Sequence, residues 1–272
     1  MQTQSPRSRI NFRLAERLPG VVTIARYVLI EALSARLALA SLVIATAGMG
    51  VALFAGELAI TEASRIQGSA LAGFLRIAAM LLVVSFVISG LTREQADKGL
   101  ELLLSLALPR ASYLTGKLLG YAAMAWFCAA IFSLPLLAFA APGNVAAWGL
   151  ALAFELTITA AAAMACALVI GHTALCLLVV TAFYALSRIM PGLLAITASP
   201  VGPANSAGFQ AMSAILNGIA TVLPNLDRFA SAAWLWQGPA VWNQMPAIAL
   251  QCVIYVPLLM VLALFDFYRK NL

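Results

Sequence analysis

AAMLLVVSFVISGL, residues 78–91, carries no charged side chain and no alternation of apolar and polar residues. The apolar run extends upstream to about residue 69, interrupted only by Arg76. A bilayer core about 30 Å thick needs roughly 20 such residues per spanning helix. LTITAAAAMACALVI (156–170) repeats the pattern. A membrane β-barrel would instead alternate polar and apolar residues in segments of about ten, so continuous blocks of this kind are helices. The whole chain agrees with this reading. Its 272 residues are 63% hydrophobic and 10% charged, with a mean hydropathy of +0.98. A soluble domain is about half apolar and a quarter charged. Water is therefore not the main solvent, and the length leaves room for roughly five to seven spans.

Outward from 78–91, spans are expected at about 37–56, 69–91, 118–140, 147–169, 174–190 and 246–265. The fold class is an all-α polytopic membrane protein with six transmembrane helices. Residues 1–20 hold Arg7, Arg9, Arg13 and Arg17 and read as a cytoplasmic tail, broken at Pro19-Gly20. They lack the apolar core of a signal peptide. Residues 21–272 form a single transmembrane domain. Within 21–35, Val21, Ala25, Val28, Leu29 and Ala32 share one helical face opposite Thr23, Tyr27, Glu31 and Ser34. That amphipathic pattern suits an N-terminal interfacial helix. Gly171-His172-Thr173 makes a very short link. Residues 191–244 contain Pro200, Pro203, Pro224 and Pro239, too many interruptions for a span. There, Phe209, Met212, Leu216, Ile219 and Leu223 recur at helical spacing, and Trp234, Trp236 and Trp242 read as headgroup anchors. This is the long extracytoplasmic connection between spans 5 and 6.

Basic residues sort the chain across the membrane. With six spans, 12 of the 16 Lys and Arg fall on one side, and Arg65, Arg76, Arg188 and Arg228 on the other. The positive-inside rule then puts both termini in the cytoplasm and the chain in the cytoplasmic membrane. The net charge of +6 is used up in this asymmetry and does not call for nucleic acid. Cys128, Cys166, Cys176 and Cys252 all lie inside apolar blocks and read as packing residues. A lone His172 excludes a histidine-cluster metal site.

Directly after 78–91 comes TREQADKGLELLLSLALPR (92–110), with six of the 26 charged residues. On a helix over 94–108, Leu100, Leu103, Leu104, Ala107 and Leu108 form one stripe. Glu94, Asp97, Lys98, Glu101 and Ser105 form the other. Glu94 and Lys98 are spaced as an i, i+4 pair, Thr92 and Gln95 as a capping box, and Pro109 as a stop. Inside the apolar blocks, Glu155 is the functional candidate, because burying a carboxylate there costs a few kcal/mol without a partner. It suits either a substrate path or a bond across helices. Arg76 reads as a residue snorkelling to the interface. Gly116-x-x-x-Gly120 and the alanines of 160–165 permit close helix approach.

Arg93-Glu94, Gly99, Glu101-Leu102-Leu103-Leu104-Ser105, Leu108-Pro109-Arg110 and Gly116-Lys117 resemble the segment between the second and third spans of ABC type 2 permeases. The likeness is to the branch associated with multi-copper enzyme maturation. LPNLDRF (223–229) resembles the segment before that branch's last span. Leu100 stands where the family often has Thr, and Ser112 where it often has Arg. The resemblance implies a cytoplasmic coupling helix between spans 2 and 3, seated in a groove of an ABC ATP-binding subunit. Arg93, Glu94, Asp97, Lys98, Glu101 and Ser105 would be its contacts. Glu155 is the candidate for a translocation path. The resemblance also implies a second permease copy or paralogue, and leaves room for an extracytoplasmic partner. No phosphate-loop motif occurs, so this chain is not expected to be an enzyme or to bind a cofactor or metal. ATP and Mg would sit on the partner. The expectation is an exporter permease. Mechanical transmission to an extracytoplasmic protein and ATP-independent transport are the alternatives.

Overall fold

The computed structural model describes residues 6–34, 37–58, 62–96, 110–198 and 207–269. Among them there is no strand. The helices are α1 (Pro6–Ser34), α2 (Leu37–Glu57), α3 (Ala63–Ala96), α4 (Arg110–Ser133), α5 (Pro142–Ile170), α6 (Thr173–Ala198), α7 (Ala207–Val222) and α8 (Met245–Arg269). Short 3₁₀ turns follow α4 at Leu134–Ala138 and join α7 to α8 at Leu226–Arg228, Ala232–Trp236 and Gly238–Gln244. Six of the helices are long and apolar enough to cross a membrane, and the chain is a multi-pass membrane protein.

The spans are longer than the apolar blocks that mark them. α3 runs on past Leu91 to Ala96, so Thr92 is not an N-cap. It lies within the helix, its hydroxyl donating to Ile88 O at 2.8 Å. α4 begins at Arg110 rather than near 118. α6 continues through Pro191-Gly192 to Ala198. α1 likewise continues through Pro19-Gly20, where a break was expected. Proline removes one ladder hydrogen bond, but neighbouring structure can absorb the loss inside a helical bundle. α5 has sharp ends. Pro142 occupies its first turn, and Gly171 closes it with φ of 66°, the left-handed conformation that glycine reaches without strain.

α5 is the hub. It packs on α3, α4, α6 and α8 and is buried nearly all round, the alanines of 160–165 included. A helix apolar on every face is an interior helix, and small side chains let its neighbours approach. α2 and α8 lie outside it. Their exposed faces carry Leu39, Leu42, Leu53 and Phe54 on α2, and Val253, Leu258, Val261 and Phe265 on α8.

α1 docks on α4, and its apolar face is the one the sequence indicated. Val28 and Ala32 are buried while Tyr27 is exposed. The seat is Gly116-x-x-x-Gly120. A Cβ on Gly120 would stand 2.6 Å from Val28 Cβ, and one on Gly116 2.9 Å from Ile24 Cβ. Both lie too close for any real pair of carbons. Overpacking of this kind costs about 1–3 kcal/mol. Gly120→Leu is therefore expected to lift α1 off α4 without unfolding the spans. Trypsin digestion in detergent should cut at Arg26 at least about ten times faster than in the parent, while a tryptic core beginning at α2 persists.

Candidate functional site

Three spans bring charged side chains together inside the bundle. Glu155 sits at the middle of α5 and is fully buried. Its Oε1 accepts hydrogen bonds from Arg188 Nη1 at 3.0 Å and from the Tyr184 hydroxyl at 2.7 Å. Tyr184 and Arg188 are four residues apart on α6, so one face of that helix presents both. The sequence offered two roles for Glu155, and the structure places it in a bond across helices. It is closed off from solvent in this conformation.

Arg188 does more than neutralise Glu155. Its Nη1 also donates to Leu226 O at 2.9 Å, and its Nη2 to Phe229 O at 3.3 Å. Arg76 Nη1, from α3, donates to Ala230 O at 3.0 Å. Trp148 Nε1, from α5, reaches the same carbonyl at 2.8 Å. The acceptors belong to the LPNLDRF stretch and the residue after it. Leu226, Phe229 and Ala230 are fully buried. Irregular backbone survives at such a level only where the protein itself meets its polar groups. Two arginines and a tryptophan do so here. Ala230 holds φ of 42°, which costs an alanine about 1–2 kcal/mol. Its doubly bonded carbonyl fixes that conformation.

The rest of the connection is anchored in the same way. Asn144 Nδ2 donates to Leu235 O at 3.0 Å. Trp236 packs over Gly68 and donates to Ser69 Oγ at 3.4 Å. Trp234 is buried, so it and Trp236 are packing residues rather than headgroup anchors; Trp242 stays exposed. Arg76 does not snorkel outward, and Arg188 does not mark an aqueous end. Both are bound within the bundle.

A second ionic cluster lies at the C-terminal end of α3. Lys117 is almost wholly buried and pairs with Glu94 Oε1. The Tyr113 hydroxyl donates to Glu94 Oε2 at 2.5 Å. The pair ties the end of α3 to the start of α4, the two helices that flank residues 97–109. Gln95 Nε2 donates to Ala167 O at 3.2 Å, capping the last turn of α5. Thr92 and Thr173 hydroxyls meet at 3.1 Å. The end of α3 is therefore fastened to α4, α5 and α6 at once.

Among the sequence-predicted contacts, Arg93 is exposed at the end of α3. Glu94 is turned into the bundle rather than along a solvent stripe, because α3 continues unbroken and aims it at α4. Asp97, Lys98, Glu101 and Ser105, and with them most of the expected 94–108 helix, lie outside the described residues. The sequence matches no protein-family model, and a search of curated proteins returns no match. The site therefore stands on its own geometry: two ion pairs, Glu155–Arg188 and Glu94–Lys117, with α3 carrying Glu94 of one and Arg76, which bonds the same connection that Arg188 holds. Sequence reading missed Tyr184, Arg188, Trp148 and Lys117 as parts of it. The available signal was complementarity, since Glu155 in one apolar block implies a cation in another.

Proposed function

We propose that this chain is the membrane-spanning permease subunit of an ATP-binding-cassette exporter, moving a substrate across the cytoplasmic membrane with ATP and Mg bound by a separate subunit. The observation that carries this reading is α3. It is one unbroken helix of 34 residues, about 51 Å long. It bears Glu94 at one ionic cluster and Arg76 at the other, roughly 27 Å apart. The segment resembling a coupling helix leaves α3 just beyond Glu94. A push on 97–109 would act on α3 and α4 together through Glu94 and Lys117. The N-terminal half of α3 would feel it as a displacement of Arg76 from Ala230 O.

The same geometry bears on orientation. Arg76, Lys117 and Arg188 are bound inside the bundle and no longer mark either aqueous side. Of the remaining basic residues, eleven belong to the two termini and 93–110, and only Arg65 and Arg228 to the other side. The bias is stronger than the raw sequence count. It supports cytoplasmic termini and an extracytoplasmic 207–244. The polar edge of α1, with Arg26 and Tyr27, suits the cytoplasmic interface. The exposed apolar faces of α2 and α8 suit lipid and a second permease copy or paralogue.

Mechanical transmission to an extracytoplasmic partner has one observation in its favour. What α3 holds through Arg76 is the backbone carbonyl of Ala230, rather than an open cavity.

Affinity purification in mild detergent should recover a stoichiometric ATPase, lost on Asp97→Arg or Glu101→Arg. Those positions are preferred to Glu94, whose replacement also breaks the bond to Lys117. A cysteine at position 98 should resist an impermeant reagent added outside intact cells. Ready labelling there would invert the topology and end the proposal. Substrate stimulation of the ATPase in vesicles selects transport over transmission, and transport that persists without ATP would overturn both.

A further inference from the structure

Four polar side chains outside both ionic clusters converge on a pocket of about 380 Å³ at the start of α8. Arg228, Asn243, Gln244 and Gln251 line it, over Ala247 and the buried Ile248. Arg228 has no ion pair among the described residues. Gln251 has a buried Oε1 with no hydrogen-bond partner. A buried acceptor left unmet calls for a donor. A guanidinium with its donors uncommitted suits an oxyanion, and phosphate above all. The ligand chemistry is therefore a phosphate with a hydrogen-bond donor a few ångströms away.

The position of the pocket says where such a group would come from. Gln251 and Leu258 are seven residues apart on α8, so the two follow one side of the helix, with Gln244 in the turn just before it. Leu258, Val261, Leu262 and Phe265 below them are all more than half exposed. Each seven-residue step is roughly 10 Å. An apolar strip long enough for an acyl chain therefore runs straight down from the polar pocket. A free phosphate would make no use of that strip.

We propose that this pocket binds the headgroup of a phospholipid whose phosphodiester sits beside a hydrogen-bond donor, an ammonium or a hydroxyl. Arg228 grips the phosphate, with Asn243 and Gln244 at its rim. Gln251 Oε1 accepts from the headgroup donor, and the acyl chains lie along α8. Phosphatidylethanolamine and phosphatidylglycerol carry such a donor. Phosphatidylcholine does not.

The test is native mass spectrometry of the delipidated full chain, titrated with each of these three lipids and with sn-glycerol 3-phosphate. Phosphatidylethanolamine or phosphatidylglycerol should bind one per chain, about tenfold or more tighter than phosphatidylcholine. Arg228→Gln should weaken that binding about 10- to 100-fold. Gln251→Leu should erase the preference over phosphatidylcholine while leaving phosphatidylcholine binding as it was. Arg228 is exposed, so its variant should melt like the parent. Equal binding of all three lipids, or an Arg228→Gln variant that binds as the parent does, overturns the proposal. So does sn-glycerol 3-phosphate binding as tightly as the lipids, which would make the occupant a soluble phosphate. None of these readouts involves an ATPase, so failure here leaves the permease reading standing, and the reverse.

Discussion

Glu155→Ala is expected to destabilise the bundle by about 3–5 kcal/mol, the largest effect of any single substitution here. The carboxylate is fully buried and 3.0 Å from Arg188 Nη1. Removing it leaves Arg188 and Arg76 near one another with no anion between them. Arg188→Met should be milder, at about 1–3 kcal/mol, although it breaks the same ion pair. In that variant Glu155 keeps the Tyr184 hydroxyl and has Arg76, which interacts with it electrostatically, as its remaining cation, so the buried charge sums to zero rather than to two. The order of the two variants is thus fixed by charge rather than by how many hydrogen bonds each one removes. The double variant Glu155→Ala/Arg188→Met should recover part of the loss, giving a coupling above about 1 kcal/mol in a double-mutant cycle. Thermal unfolding in detergent or nanodiscs measures all four corners. Additive single effects, or Arg188→Met proving the worse of the two, would refute the argument. Arg188→Met should also loosen residues 224–231, read as faster amide exchange at Leu226 and Phe229, because Arg188 is what their carbonyls bond to.

The six spans were legible because hydropathy acts on whole blocks. A helix of roughly 20 apolar residues has few alternatives to crossing a bilayer, and no tertiary detail overrides that. Ends were less legible, because hydropathy reports the solvent of a segment and not its backbone. α3 crosses from apolar to charged sequence at Thr92 and stays helical, since Gln95, Thr92 and Glu94 each find a partner on another helix. Charged residues were misplaced for a related reason. Counting Arg188 and Lys117 at aqueous ends assumes that a charge near an apolar block seeks water. Their partners stand 33 and 23 residues away in the chain, and no local pattern reveals them. The 223–229 stretch stood out as a motif, but its part in the site is played by backbone carbonyls, which have no signature in side-chain sequence. The glycine seat for α1 was legible as spacing, while its occupant emerged only from the fold.

Lys117→Met should separate binding from coupling. The substitution leaves the Glu94 carboxylate half-buried with the Tyr113 hydroxyl as its remaining donor, a loss of about 2–3 kcal/mol in stability. Its consequence for function is sharper. Glu94 and Lys117 join the two helices that enter and leave 97–109, so a force on that segment reaches α3 and α4 together while the pair holds. Without it, each helix end can yield separately, and less of the displacement travels the roughly 27 Å to Arg76. On the proposed reading, the variant should still co-purify with its ATPase, because the proposed contact residues are intact. Its nucleotide-driven motion should fall. Spin labels at the exposed positions Ile77, beside Arg76 on α3, and Trp242, in the connection before α8, should show a distance change with nucleotide in the parent that shrinks at least severalfold in the variant. Transport per ATP hydrolysed should fall with it, by about tenfold. The exchanged pair Glu94→Lys/Lys117→Glu keeps an ion pair between the same helices and should restore much of both readouts, although Tyr113 then faces an ammonium in place of a carboxylate. A mechanical role for the pair fails if Lys117→Met melts lower yet moves and transports as the parent does. It fails equally if the exchanged pair restores stability and leaves coupling broken.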